Sequence, residues 1–179
     1  MENSYTNQRQ RCTRCGKLLI NPMGNPGSLY LLVGEYPGYH ENIAGLPFAF
    51  RRKPTETRSG DILKDELTRV GIMLQTVLIT NLWQHPMDVK ECDPALHLDQ
   101  TVRLFQDRTH VLLMGSTVTE ALLGIKYTQV SGLKVKIPGF SKISFWVSPN
   151  PALAFKQPIG ELRLAFERFS GDINSKKNR

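Results

Sequence analysis

The chain is poor in cysteine, short of acid and free of long apolar runs. Three cysteines in 179 residues are too few and of the wrong parity for a paired disulfide framework. They fit metal-binding thiols in a reducing intracellular compartment, cytoplasmic or nucleoid-associated. No apolar stretch approaches the roughly 20 residues that cross a bilayer, so no membrane span or membrane partner is expected. Met1-Glu2-Asn3-Ser4 lacks the basic, then apolar, then small order of a secretory signal. There is no internal repeat and no low-complexity linker. A glycine-rich phosphate loop is missing too, which argues against a nucleotide-binding protein. Sixteen acidic residues face 23 basic ones, for a net charge of +7. That balance favours a polyanionic partner, but charge alone does not choose among DNA, RNA and an anionic membrane.

What remains is enough for one well-buried domain. Residues 1–11 are polar and read as a flexible N-terminal arm; residues 171–179 read as a basic C-terminal tail. The domain is expected over residues 12–170. Within it, short apolar runs alternate with helical periods. Leu29–Val33, Val77–Thr80, His110–Met114 and Ile143–Val147 are continuous apolar runs of strand length, the pattern of strands covered on both faces. Lys134–Ile137 is a candidate for one more short strand. Helical spacing follows at Ile62, Leu63, Leu67 and Val70, behind Ser59-Gly60-Asp61 as a start. It recurs at Leu98, Val102 and Phe105, behind Asp93-Pro94. It recurs again at Val118, Leu122 and Leu123, which stop at Gly124, and at Leu162, Ala165, Phe166 and Phe169. Such alternation predicts an α/β fold: a three-layer α/β/α sandwich around a central, mainly parallel four-stranded sheet.

In such a sheet the chemistry gathers where the strands end. Here those ends carry Gly34-Glu35, Asn81, Gly115-Ser116 and Ser148-Pro149-Asn150-Pro151. Each is ordinary loop punctuation when taken alone; together they outline one pocket. The first loop also brings a second carboxylate, Glu41, and an aromatic, Phe48.

These residues carry a resemblance. Gly34-Glu35-Tyr36-Pro37-Gly38, then Glu41, then Gly45-Leu46-Pro47-Phe48, is similar to the first motif of the iron–sulfur uracil-DNA glycosylases (Gly-Glu-Ala-Pro-Gly, Glu, Gly-x-Pro-Phe). Ile79-Thr80-Asn81 resembles their Ile-Thr-Asn strand end. Asn150-Pro151-Ala152 takes the place of their His-Pro-Ser, and residues 52–58 resemble an insertion. The likeness runs in order over roughly residues 12–170. It implies a DNA glycosylase that excises uracil or a related modified pyrimidine. It implies a base pocket made by Gly34, Tyr36, Phe48 and Asn81, with Glu35, Glu41 and Asn150 for catalysis. Which of the two carboxylates acts on water is left open. Leu153 or Phe155 would wedge into the duplex, while Lys156, Arg51 and Arg52 would meet phosphates; the alternative is that Leu153 and Phe155 cover the last helix.

Asn150 departs from the family histidine. Asparagine keeps a donor but carries no proton at neutral pH. Tyr36 replaces a small residue and is expected to narrow the pocket. So a second reading stands: a glycosylase-fold protein of impaired chemistry that serves as a DNA-binding or replication-associated subunit, with a replication or repair protein as partner.

Cys12-Thr-Arg-Cys15 is a two-residue-spaced knuckle, and Cys92 lies far downstream. The resemblance implies a 4Fe-4S cluster on four cysteines, with His85 standing where the third would be. Three thiolates and an imidazole suit zinc equally in kind. His40, His97 and His110 are read as structural or surface residues.

Overall fold

The computed structural model describes residues 10–13, 15–86, 92 and 95–177. The expected N-terminal arm lies outside the described residues except for Gln10 and Arg11, and so does Asp93-Pro94. Arg11 forms an isolated antiparallel bridge with Leu18.

Among the described residues six strands make one sheet: β1 (Met23–Gly24), β2 (Tyr30–Gly34), β3 (Leu78–Asn81), β4 (His110–Met114), β5 (Lys134–Val135) and β6 (Ser144–Ser148). Their spatial order is β1-β3-β2-β4-β6-β5. The four inner strands are mutually parallel; β1 and β5 are two-residue antiparallel edges. The four-stranded parallel core is the expected one. β1 escaped notice because Asn21-Pro22-Met23-Gly24-Asn25-Pro26 reads as turn chemistry, not as a strand.

Side chains alternate across the sheet. Leu32, Ile79 and Leu112 face one way and meet α2 (Ser59–Arg69) and α5 (Gly160–Lys177) through Leu63, Leu67, Phe166 and Phe169. Leu31, Val33, Val111, Leu113 and Phe145 face the other way, packed with Leu98 and Val102 of α3 (Ala95–Arg103), Phe105 from the turn after it, and Val118 of α4 (Ser116–Leu123). Both faces are therefore dry, and the inner strands are nearly all apolar because neither face meets water. A short helix, α1 (Tyr39–Ala44), lies in the loop after β2.

The last helix corrects the expected tail. It continues to Lys177, because Ile173 is buried in the core beside Phe169. Asp172, on the same helix, accepts from Trp146 Nε1 at 3.0 Å and from Lys134 Nζ at 2.8 Å, and lies 3.6 Å from His110 Nε2. One carboxylate thus ties α5 to three strands, and residues 171–177 are part of the scaffold.

Register aligns the ends of the inner strands. Gly34 pairs with Asn81, and Met114 with Ser148. The chain leaves β2 for β3 on one side and returns to β4 on the other. That crossover point opens a crevice at the carboxyl edge, where such sheets bind ligands.

Burial opposes ionisation of Asp172, but Lys134, the Trp146 indole N–H and Ser144 outweigh it and hold the carboxyl down at about 2. A depressed carboxylate stabilises the fold above its unfolded value, near 3.9, and that contribution fades as pH falls through the folded value. The stability gap between the parent and Asp172→Asn, measured by urea unfolding, is therefore expected to shrink as pH drops from about 4 toward 2.

Candidate active site at the carboxyl edge of the sheet

Gly34 is where the site begins. A Cβ there would stand 2.8 Å from the Phe48 ring and closer still to Asn81 Oδ1. The missing side chain lets both groups close over the strand end. Asn81 is 3% exposed, and its Nδ2 donates to Pro47 O at 2.8 Å. That bond draws Pro47-Phe48 down onto the sheet edge. On the same loop, Glu41 Oε1 accepts from Ala49 N at 3.1 Å and from Ser59 Oγ at 2.9 Å. Glu41 thereby links α1, the Phe48 loop and the start of α2.

Glu35 is held from the opposite side. Its Oε1 accepts from Thr117 N at 2.7 Å and Ser116 Oγ at 3.3 Å, at the N-terminus of α4. That is a favourable place for a negative charge. Its Oε2 accepts from Asn150 Nδ2 at 3.0 Å. Gly115 makes room: at φ +112° it adopts a backbone few L residues tolerate, and a Cβ there would sit 2.7 Å from Glu35 Oε1. Asn150 also caps the turn after β6, accepting from Ala152 N at 3.0 Å. Both ends of its amide are therefore in use.

These groups surround one cavity of about 520 Å³. Glu35, Tyr36, Glu41, Phe48, Asn81 and Asn150 line it, and Leu153, Phe155 and Lys156 stand at its rim with Ala152. Phe155 is half exposed. Gly34 lies behind Asn81 and Phe48 without lining the cavity. Tyr36 borders it, but its ring also leans on Trp83, with centroids 6.0 Å apart. Arg51 and Arg52 are not brought to the cavity. Arg51 pairs with the buried carboxylate of Asp61, through Nε at 3.3 Å and its backbone N–H at 3.1 Å, while Arg52 is exposed on the following turn.

The wall includes residues the sequence did not single out. Ser59 was read as a helix start, yet its hydroxyl orients Glu41. Tyr127 has no periodic or motif signal, since it lies in a single 3₁₀ turn (Tyr127–Gln129) after Gly124. Burial raises its phenol above the ordinary value; a hydrogen bond from Ser131 opposes this, and the charges of Glu161 and Glu35 add to the rise.

The donor atoms of Cys12, Cys15, His85 and Cys92 all lie within 4.8 Å of one another, a set able to hold a metal. His97, expected to be structural or surface, is buried against the same group. Its Nε2 lies 3.3 Å from Cys92 Sγ, 3.8 Å from Cys12 Sγ and 3.0 Å from His85 Nε2. The five-residue step from Cys92 to His97 was the available signal. Burial, then Cys12 and Cys15, push the Cys92 thiol up to about 12. Crowded sulfurs resist becoming thiolates unless a cation accompanies them. This centre adjoins the cavity: Leu82 N donates to Gly34 O at 2.8 Å and Trp83 N to Glu35 O at 3.0 Å, one turn of chain before His85.

Gly34→Ala should destabilise the protein by about 1–3 kcal/mol, because it overpacks a filled corner. Thermal or urea unfolding checks this.

Among the described residues no helix is long and apolar enough to cross a membrane. The family model described as the Uracil DNA glycosylase superfamily matches residues 22–171, which include every residue lining the cavity and leave out Cys12 and Cys15. The chain belongs to the uracil-DNA glycosylase superfamily.

Proposed function

We propose that the protein is a DNA glycosylase that extrudes uracil, or a closely related modified pyrimidine, and hydrolyses its N-glycosidic bond. The observation that carries this reading is the convergence of Phe48, Asn81, Glu35 and Asn150 on one cavity. Chemistry on a base requires taking it out of the stack and holding it in a snug pocket. Phe48 offers a ring face for stacking. Asn81 spends one amide hydrogen on Pro47 O; its second hydrogen and its carbonyl oxygen complement the acceptor–donor edge of uracil.

Bond cleavage leaves positive charge on the sugar and negative charge on the base. Glu35 and Glu41 supply fixed negative charge beside the first and hold the attacking water. Each is anchored by a backbone N–H and a hydroxyl, so neither must reorganise during the reaction. Asn150 has a second amide hydrogen for the developing anion on the base. Phe155 and Leu153, on the rim, fill the space that the extruded base vacates, as wedge residues do in other DNA-bending proteins. Lys156 and Arg52 meet phosphates, while Arg51 orders the loop through Asp61.

One observation favours the second reading, a DNA-binding protein of impaired chemistry. Asn150 is turned to Glu35 and Ala152, so its amide arrives at the cavity already engaged. A single assay decides. Single- and double-stranded oligonucleotides carrying one uracil are incubated with the protein and treated with alkali. The glycosylase reading expects strand scission that falls by about 100-fold or more in Asn81→Ala and Glu35→Gln. Tight, salt-sensitive binding without scission, on uracil and on a panel of modified pyrimidines, would establish the second reading instead.

A further inference from the structure

The relatives named by the sequence resemblance hold a four-iron cluster on four cysteines. The donors found here do not fit that group. There are three thiols, not four, and the fourth corner is imidazole. Spacing is the stronger objection. In a four-iron cluster each ligand binds a different iron, which spreads the ligand atoms apart by an iron–iron separation beyond the span around one ion. Around a single zinc ion, with Zn–S about 2.3 Å and Zn–N about 2.0–2.1 Å, tetrahedral ligand atoms stand about 3.3–3.8 Å apart. In this protein Cys12 Sγ and Cys92 Sγ are 3.6 Å apart, Cys15 Sγ and His85 Nε2 3.6 Å, and His85 Nε2 and Cys92 Sγ 3.3 Å.

We propose that Cys12, Cys15 and Cys92 hold one zinc ion, and that His85 and His97 are interchangeable fourth ligands at the same corner. Both imidazoles present Nε2, both nitrogens lie 3.3 Å from Cys92 Sγ, and they are 3.0 Å from each other. A structural zinc site takes four ligands, so five donors leave one in reserve. His85 completes the three sulfurs as they stand, with its Nε2 3.6 Å from Cys15 Sγ; His97 lies 3.8 Å from Cys12 Sγ, outside that set, and stands in reserve for the corner His85 fills. His85 comes from the segment after β3 and His97 from α3. The ion therefore joins the N-terminal knuckle to the chain that hydrogen-bonds Glu35, and it does so independently of any glycosylase activity.

The test uses the full-length protein, purified without oxygen or chelator from cells supplied with both iron and zinc. One zinc per chain, no acid-labile sulfide, and X-ray absorption showing three sulfurs and one imidazole around the metal are expected. Iron with stoichiometric sulfide, metal–metal scattering, or failure to take up zinc on reconstitution would overturn the single-ion site. His85→Gln and His97→Gln are each expected to keep the zinc, and the double variant to release it to a competing chelator at least about 10-fold faster or more completely. Loss of zinc from either single variant equal to that of the double would overturn the interchange. The absorption measurement is made on the unsubstituted protein, so the single-ion site is judged even where a variant fails to fold.

Discussion

The Glu35 carboxylate joins three segments that are remote in sequence: the end of β2, the N-terminus of α4 and the turn after β6. Its position depends on two absent side chains. Without a bare Cα at Gly115 the carboxylate has no seat, and without one at Gly34 the Asn81–Phe48 pair cannot close beside it. Parallel register then does the rest, by ending four strands at one edge. A polar cluster of this kind is costly when only partly satisfied and rigid when fully satisfied. Here Glu35, Glu41, Asn81 and Asn150 each have named partners, and the cavity walls are set before any ligand arrives.

The two halves of the molecule's polar chemistry are physically continuous. The segment Leu82–His85 pairs through its backbone with Gly34 and Glu35 and ends in an imidazole of the donor cluster able to hold a metal. A metal at that centre would brace the loop carrying Glu35 from behind, while Asn150 and α4 brace its side chain from in front. The family match begins after the cysteine knuckle but takes in His85 and Cys92, so the donor cluster joins a segment outside the matched region to one that runs between cavity residues.

Much of this was legible from residue order. β4 falls where its apolar run predicts, and β2, β3 and β6 are shifted by one residue toward the site, because Gly34, Asn81 and Ser148 still pair although they are not apolar. The cavity residues announced themselves as punctuation at strand ends. Other features had no local signature. Tyr127 enters the wall through tertiary packing alone. Arg51 looked like half of a free basic run, but Asp61, ten residues on, captures it. The charged C-terminal residues hid a helix whose docking is set by Ile173 and Asp172. His97 stands five residues from Cys92, but that step alone does not say that the Cys12 thiol and the His85 ring fold against it too.

In the proposed glycosylase a pyrimidine lifted out of DNA lies on Phe48 with its edge against Asn81. The most direct measurement is a crystal structure of the protein bound to DNA that carries an uncleavable uracil nucleotide. The uracil ring is expected to stack on Phe48, with its amide edge paired with Asn81 and its sugar beside Glu35. A uracil that stays paired in the duplex, or one seated away from these side chains, would contradict it.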